Sequence, residues 1–278
     1  MKDSISEEEI RKLVREGYAH VATGENSCCS PANSCCSDTQ EDTSKSIGYT
    51  DEDINSVPDG ANLGLGCGNP VALASLKEGE VVLDLGSGAG FDCFLAAECV
   101  GSTGRVIGVD MTPEMIGKAR ENAIKGEYTN VEFRLGEIEN LPVPDNHVDI
   151  VISNCVINLV PDKTKVFQEM NRVLKPGGRL MISDIVLEKD LPDVILNSAS
   201  AYVACVAGAS LKQEYLDMIE EAGFQEVAVT EETSMPLDII TSDPSVKEML
   251  ESIDLSASQI ADAAGSVKSI RVYGLKPA

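Results

Sequence analysis

Tryptophan is absent from the 278 residues, aromatic side chains make up only 4%, and histidine occurs twice, at His20 and His147. Catalysis built on an imidazole base, or recognition built on stacked rings, has almost no material to work with. Basic residues are also few: 22 Lys and Arg stand against 46 Asp and Glu, a formal net charge of -24. Nucleic acids and anionic membranes are bound through clustered Lys and Arg that release counterions, so neither is expected as a partner. No apolar run is long enough to cross a bilayer, and the N-terminus lacks the apolar segment of a secretory signal. The expectation is a soluble, cytoplasmic protein whose nine cysteines are thiols and not a disulfide framework.

The apolar fraction of 43% is ample for the core of one α/β domain. Its organising stretch is Asp84-Leu85-Gly86-Ser87-Gly88-Ala89-Gly90-Phe91-Asp92, preceded by Val81-Val82-Leu83 and followed by Phe94, Leu95, Ala96 and Ala97. That order reads as strand, glycine turn, helix. A dinucleotide fingerprint would need glycine where Phe91 stands. The pattern is instead D-x-G-x-G-x-G, and with Asp110 closing the next strand it resembles motif I of the class I S-adenosylmethionine-dependent methyltransferases. The implied fold is a doubly wound, Rossmann-like α/β sheet.

The units that follow fit such a sheet. Val106–Val109 is a strand, then Thr112 caps a helix opened by Pro113. Val131–Leu135 and Val148–Ser153 are the third and fourth strands. A helix opened by Pro161 buries Val166, Met170, Val173 and Leu174; Pro176-Gly177-Gly178 ends it, and Arg179–Ser183 is the fifth strand. A helix over Tyr215–Ala222, a strand over Val227–Thr230 and a last strand over Ile270–Leu275 close the chain. The stretch of about 231–268 reads as a C-terminal helical elaboration. Before the sheet, Ser6–Glu16 has a helical pattern, whereas 23–50 is polar. Residues 1–46 are therefore expected as a mobile arm bearing Cys28, Cys29, Cys35 and Cys36, ahead of a methyltransferase domain over 47–278.

The resemblance implies S-adenosylmethionine as cofactor and a set of contacts for it. Gly86, Ser87, Gly88 and Gly90 bring backbone against the methionyl and ribose parts, and Asp84 faces the amino group through the backbone or a water. Asp110, followed by Met111, has the two acceptor oxygens that a ribose diol needs. Gly136-Glu137-Ile138-Glu139 is similar to the adenine corner, with Glu137 as acceptor and Ile138 on the ring. Asn154 falls where a backbone carbonyl faces the methionine amine. The run Glu169-Met170-Asn171-Arg172-Val173-Leu174-Lys175-Pro176-Gly177-Gly178 is typical of the same class.

Three cysteines narrow the acceptor. Cys67 lies in the glycine-rich turn Gly64-Leu65-Gly66-Cys67-Gly68-Asn69-Pro70, expected to pass over the cofactor pocket. Cys155 follows the fourth strand in Ser153-Asn154-Cys155-Val156-Ile157-Asn158-Leu159. Cys205 lies in Tyr202-Val203-Ala204-Cys205-Val206-Ala207-Gly208-Ala209, within an acceptor lid of about 187–222. Together they are similar to the arsenite methyltransferases, a resemblance that covers nearly the whole chain. It implies arsenite and methylated trivalent arsenicals as substrates, bound by Cys67, Cys155 and Cys205. It also implies a thiol reductant, thioredoxin or a small thiol, with Cys28, Cys29, Cys35 or Cys36 relaying electrons. Trivalent arsenic is thiophilic, and three thiolates leave its lone pair free. No general base is then needed, which suits a chain with two histidines. Two alternatives remain at this level: a carbon or oxygen methyltransferase of quinone or sterol type, and a thiol-rich protein that only binds metalloids.

Overall fold

The computed structural model describes residues 6–23, 37–196, 202, 205–234 and 256–278. Seven strands form one sheet: β1 (Val81–Leu85), β2 (Arg105–Asp110), β3 (Val131–Leu135), β4 (Val148–Asn154), β5 (Leu174–Leu187), β6 (Gln225–Ser234) and β7 (Val267–Leu275). Their order is β3-β2-β1-β4-β5-β7-β6, parallel except for β7, which runs antiparallel to both neighbours. The chain reverses its winding between β1 and β4, paired at Leu83 and Val151, and a crevice opens beyond the carboxyl ends there.

Alternation along each strand builds the two core layers. Leu83, Leu85, Ile107 and Val109 face one side with Val166, Phe167 and Met170 of a helix over Lys163–Val173. Val82, Val106, Ile150 and Ile152 face the other, against Phe94 and Ala97 of a helix over Phe91–Val100 and Ile116 and Ala119 of one over Pro113–Lys125. Here α1 is Glu7–Thr23, α2 Ser37–Ser46, α3 Asp51–Ser56, α4 Pro70–Leu73, α5 Phe91–Val100, α6 Pro113–Lys125 and α7 Lys163–Val173. The remaining described helices are α8 (Asp193–Leu196), α9 (Lys212–Glu221) and α10 (Ala257–Ser266).

Several boundaries differ from the sequence reading. Helix α7 begins at Lys163, because Asp162 and not Pro161 caps it, accepting from the Lys165 N–H at 3.0 Å. Strand β5 starts at Leu174, before the prolyl-glycyl run, and a register shift between Val148 and Ile150 of β4 absorbs Lys175 to Gly178. Thr112 stands at the N-cap of α6, but its side chain makes no capping bond there. The 231–268 stretch is only partly helical: its first residues prolong β6 to Ser234, its last two begin β7, and α10 carries the capping box of Ser256 and Gln259. The stretch 1–46 is not unstructured throughout either. Helices α1 and α2 fall within it, and α1 packs on the domain through Val14. Cys28, Cys29, Cys35 and Cys36 lie outside the described residues.

Candidate active site

The glycine corner is built as close approach demands. Gly86 has φ of 68° and its absent Cβ leaves room for Val156, whose Cγ2 would stand 2.5 Å away. Gly88, with φ of 50°, would project a Cβ into open space, so its backbone faces the crevice bare. Ser87 Oγ is buried there without a hydrogen-bond partner among the described residues. Asp110 at the end of β2 accepts from the N–H of Gly88 at 3.0 Å and of Thr112 at 2.8 Å. Its two acceptor oxygens stand where a ribose diol would require them. Burial pushes the Asp110 carboxyl up, against the backbone N–H groups of Thr112, Gly88 and Met111 and the Thr112 side chain.

Acidity continues deeper into the crevice. Asp84 is buried, accepts from the Cys93 thiol at 3.1 Å, and is pushed well above the usual carboxylate range by burial and then by Asp92. Asp92, in the first turn of α5, accepts from the Tyr49 hydroxyl at 2.6 Å and from Asn154 Nδ2 at 3.2 Å. Burial raises it to about 6 even so. Among the described residues neither carboxylate forms an ion pair. A cation with several N–H donors, such as the ammonium of S-adenosylmethionine, is the group this crevice fits.

Asn154 does more with its side chain than the sequence suggests. Its Nδ2 donates to Tyr49 at 2.9 Å and to the Gly68 carbonyl at 2.8 Å, while its Oδ1 accepts from the Cys67 N–H at 3.1 Å. One amide thus ties the Cys67 loop to the end of β4. The loop is held from the other side by Ser269 of β7, whose hydroxyl donates to the Cys67 carbonyl at 2.7 Å. Gly66 must be glycine at φ of 122°, since a Cβ would meet the Asn154 amide at 2.8 Å.

Cys67, Cys155 and Cys205 are buried, unbridged and packed in one cluster with Val14, Leu159, Leu191 and Ile195, with Met111 against it. The Sγ atoms of Cys67 and Cys155 and a carboxylate oxygen of Asp184 lie within 4.8 Å of one another. Cys205 joins them by donating its thiol to the Cys155 carbonyl at 3.0 Å. Cys155 and Cys205 hold positive φ values, 59° and 62°. Burial pushes the Cys67 thiol up. Cys205 is raised well above the thiol range by its contact with Cys155 and then by burial. Cys155 is lowered by Cys205, but its contact with Cys67 and its burial together outweigh that and raise it well above the range.

Helix α1 roofs this cluster. Val14 is buried in it and Tyr18 packs beside it. Burial and then Cys205 push the Tyr18 hydroxyl well up. Two ion pairs fix the helix over the adenine corner: Arg11 to the buried Glu139 at 3.0 Å and Arg15 to Glu137 at 3.6 Å. Glu137 is therefore half exposed and already paired, and Ile138 is turned into the main core.

Tyr18, Tyr49, Asp92 and Asp184 escaped the sequence reading. Asp92 alone left a trace, an acid in the first turn of a largely apolar helix just after the glycines. Asp184 fell just outside the fifth strand as read, Arg179–Ser183, whereas β5 runs on to Leu187.

The sheet order and the bare glycine corner over buried carboxylates define a class I S-adenosylmethionine-dependent methyltransferase, and a methyltransferase-domain family matches residues 76–223. The match is closer still to one branch: the arsenite methyltransferase of Halobacterium salinarum is 51% identical over 264 residues, covering 91% of this chain and 68% of that one. The mouse arsenite methyltransferase is 34% identical over 81% of this chain, which spans 60% of the mouse protein. The crystal structure of an arsenic (III) S-adenosylmethionine methyltransferase from Chlamydomonas reinhardtii superposes with a TM-score of 0.63 at 30% identity, covering 84% of this chain and 74% of that one. The chain belongs to the arsenite methyltransferase family.

Proposed function

We propose that this protein methylates trivalent arsenic held by Cys67, Cys155 and Cys205, using S-adenosylmethionine bound along the Asp84 to Asp110 crevice. The observation that carries the reading is the convergence of three thiols, distant in sequence, in one buried cluster beside the glycine corner. Arsenous acid is neutral and enters an acidic protein without repulsion. The thiols, raised in pKa, meet it protonated; each S–H proton leaves with an arsenic hydroxide as water, so three As–S bonds form with no external base. The product is a pyramid whose lone pair is unshared. S-adenosylmethionine, when bound, supplies an electrophilic methyl group on a sulfonium.

The chain's own residues supply positioning. Asn154 and Ser269 fix the Cys67 loop, Asp110 and the glycine backbone orient the nucleoside end, and Asp84 with Asp92 hold the cationic amino-acid end. Glu137 and Ile138 serve the adenine corner only if Arg15 shares or releases Glu137. Val14 and Tyr18 keep water from the thiols. Methylation oxidises arsenic by two electrons, and a thiol reductant in the cytoplasm returns them, with Cys28, Cys29, Cys35 or Cys36 as relay. The test is purified protein with arsenite, thiol and methyl donor, followed by arsenic speciation. Cys155→Ser and Cys205→Ser should lose methylation of inorganic and monomethylated arsenic alike. Cys67→Ser should keep the monomethyl substrate, in which one arsenic valence is already carbon. Wild-type rates in all three variants would refute the thiol site.

A further inference from the structure

The arsenic reaction gives Asp184 no task, yet this carboxylate is fully buried beside two of the three thiols. It is also held in one orientation. Oδ1 accepts from Asn158 Nδ2 at 2.8 Å and from the Ile185 N–H at 2.9 Å, Oδ2 accepts from the Tyr215 hydroxyl at 3.0 Å, and the Ile157 N–H also reaches the carboxylate. Oδ2, which has fewer direct partners than Oδ1, is the oxygen placed to serve as a ligand. Carboxylates that bind metals are typically fixed in this way by outer partners.

We propose that Asp184, Cys67, Cys155 and Cys205 form a three-sulfur, one-oxygen site for a soft divalent cation of the zinc and cadmium kind, and that such an ion competes with trivalent arsenic. The inference rests on the thiol site proposed above and adds a ligand class to it.

Size supports it. Zn–S bonds of about 2.3 Å give a tetrahedron with edges of roughly 3.8 Å. The Cys67, Cys155 and Asp184 ligand atoms lie within 4.8 Å of one another, so small side-chain rotations bring them to that size. Cys205 lies outside that 4.8 Å group, its thiol donating to the Cys155 carbonyl, and supplies the fourth corner by turning from that carbonyl toward the other three ligands. Charge separates the two ligands. Trivalent arsenic on three thiolates is neutral, fills no fourth position and gains nothing from a carboxylate. A divalent ion on three thiolates keeps an acceptor position that the carboxylate fills, and the resulting negative charge favours the protonated form of the Lys163 amine, which burial lowers and which Asp184 and Cys205 already support. The same pocket thus distinguishes the two by whether the fourth position holds a lone pair or a ligand.

The experiment uses the full chain with Cys28, Cys29, Cys35 and Cys36 changed to Ser, so that the N-terminal thiols bind nothing, kept reduced by a phosphine. Cadmium is titrated by thiolate charge-transfer absorbance, with and without arsenite. The expected result is one tight cadmium per chain, displaced by arsenite. Asp184→Asn should weaken cadmium at least about tenfold and change arsenite affinity less than about twofold. Equal cadmium affinity in Asp184→Asn, or cadmium binding indifferent to arsenite, would overturn the proposal. If arsenite affinity survives in Cys155→Ser, the thiol site itself fails, a different outcome. Should Asp184→Asn not fold, the unmodified protein decides: zinc must inhibit methylation competitively against arsenite and not against the methyl donor, and any other pattern refutes the shared site.

Discussion

Cys155 and Cys205 sit at φ of 59° and 62°, a region that costs an L-residue about 1–2 kcal/mol. Strain at two of the three proposed ligands is what a site-bearing residue tolerates when its surroundings over-determine it. Replacing either by Gly relieves the strain and replacing it by Ala does not. Cys155→Gly should therefore be more stable than Cys155→Ala by about 1 kcal/mol, although both lose activity. Urea unfolding of the pair decides, and a more stable Ala variant would mean the backbone is unstrained. Asp92 gives a prediction of another kind. Its folded pKa of about 6 lies above the ordinary carboxylate value, so the folded state takes up the proton first. Ionised Asp92 hence destabilises the protein without cofactor above that pH, and the penalty fades as pH falls through about 6. Affinity for the cationic cofactor runs the opposite way, weakening over the same window. Asp92→Asn should flatten both trends, measured by melting and by calorimetry from about pH 7.5 to about pH 5.5. At this scale the cysteines were legible because each adjoins a family motif. Asp92 and Asp184 were not, since burial of an acid inside an apolar run is decided by partners such as Tyr49 and Tyr215 that lie far off in sequence.

Among the elements, the parallel core was legible and its margins were not. Strands β1, β2 and β4 read correctly because both faces are buried and the runs are short and largely apolar, whereas the edge strand β3, with one buried residue, was legible from its place in the alternation of units. Strand β6 alternates half-buried with exposed positions and contains Thr and Glu, so only its pairing with β7 reveals its length. The extension has a use: Ser269, in the added part of β7, braces the Cys67 carbonyl. The lid depends on a comparable contact. A Cβ on Gly208 would fall 2.0 Å from the carbonyl oxygen of Asn158, in the turn that follows Cys155. Gly208→Ala must push the lid segment away from that turn, and with it Cys205. Overpacking of this sort costs about 1–3 kcal/mol. The expected phenotype is a folded, cofactor-binding protein with weakened arsenite affinity and faster proteolysis near Cys205. Unchanged arsenite affinity would show that the lid is not what carries Cys205 to the site.

For the whole molecule, the N-terminal region carries a roof, helix α1, and the cysteines proposed above as a relay. A chain beginning near Ile47 would lose both, because Val14 and Tyr18 of α1 cover the thiols and Arg11 and Arg15 pin the helix to Glu139 and Glu137. Such a truncation should bind the cofactor yet fall short even in a single turnover, since water reaches the thiols and weakens every electrostatic contact there. The roles part when each is changed alone. Changing Cys28, Cys29, Cys35 and Cys36 to Ser leaves α1 intact, so single-turnover methylation with a strong reductant should match the unmodified protein. Repeated turnover with a physiological thiol should fall, because arsenic oxidised at each transfer is no longer reduced in place. Val14→Asp does the reverse. An unpaired carboxylate against the buried thiol cluster lifts the roof, and single turnover should drop about tenfold or more while the reductant dependence stays as before. Rapid-quench measurement of the first methyl transferred, beside steady-state rates, separates the two. If the four-serine protein loses its first turnover as well, those cysteines act in arsenic capture and not in its reduction.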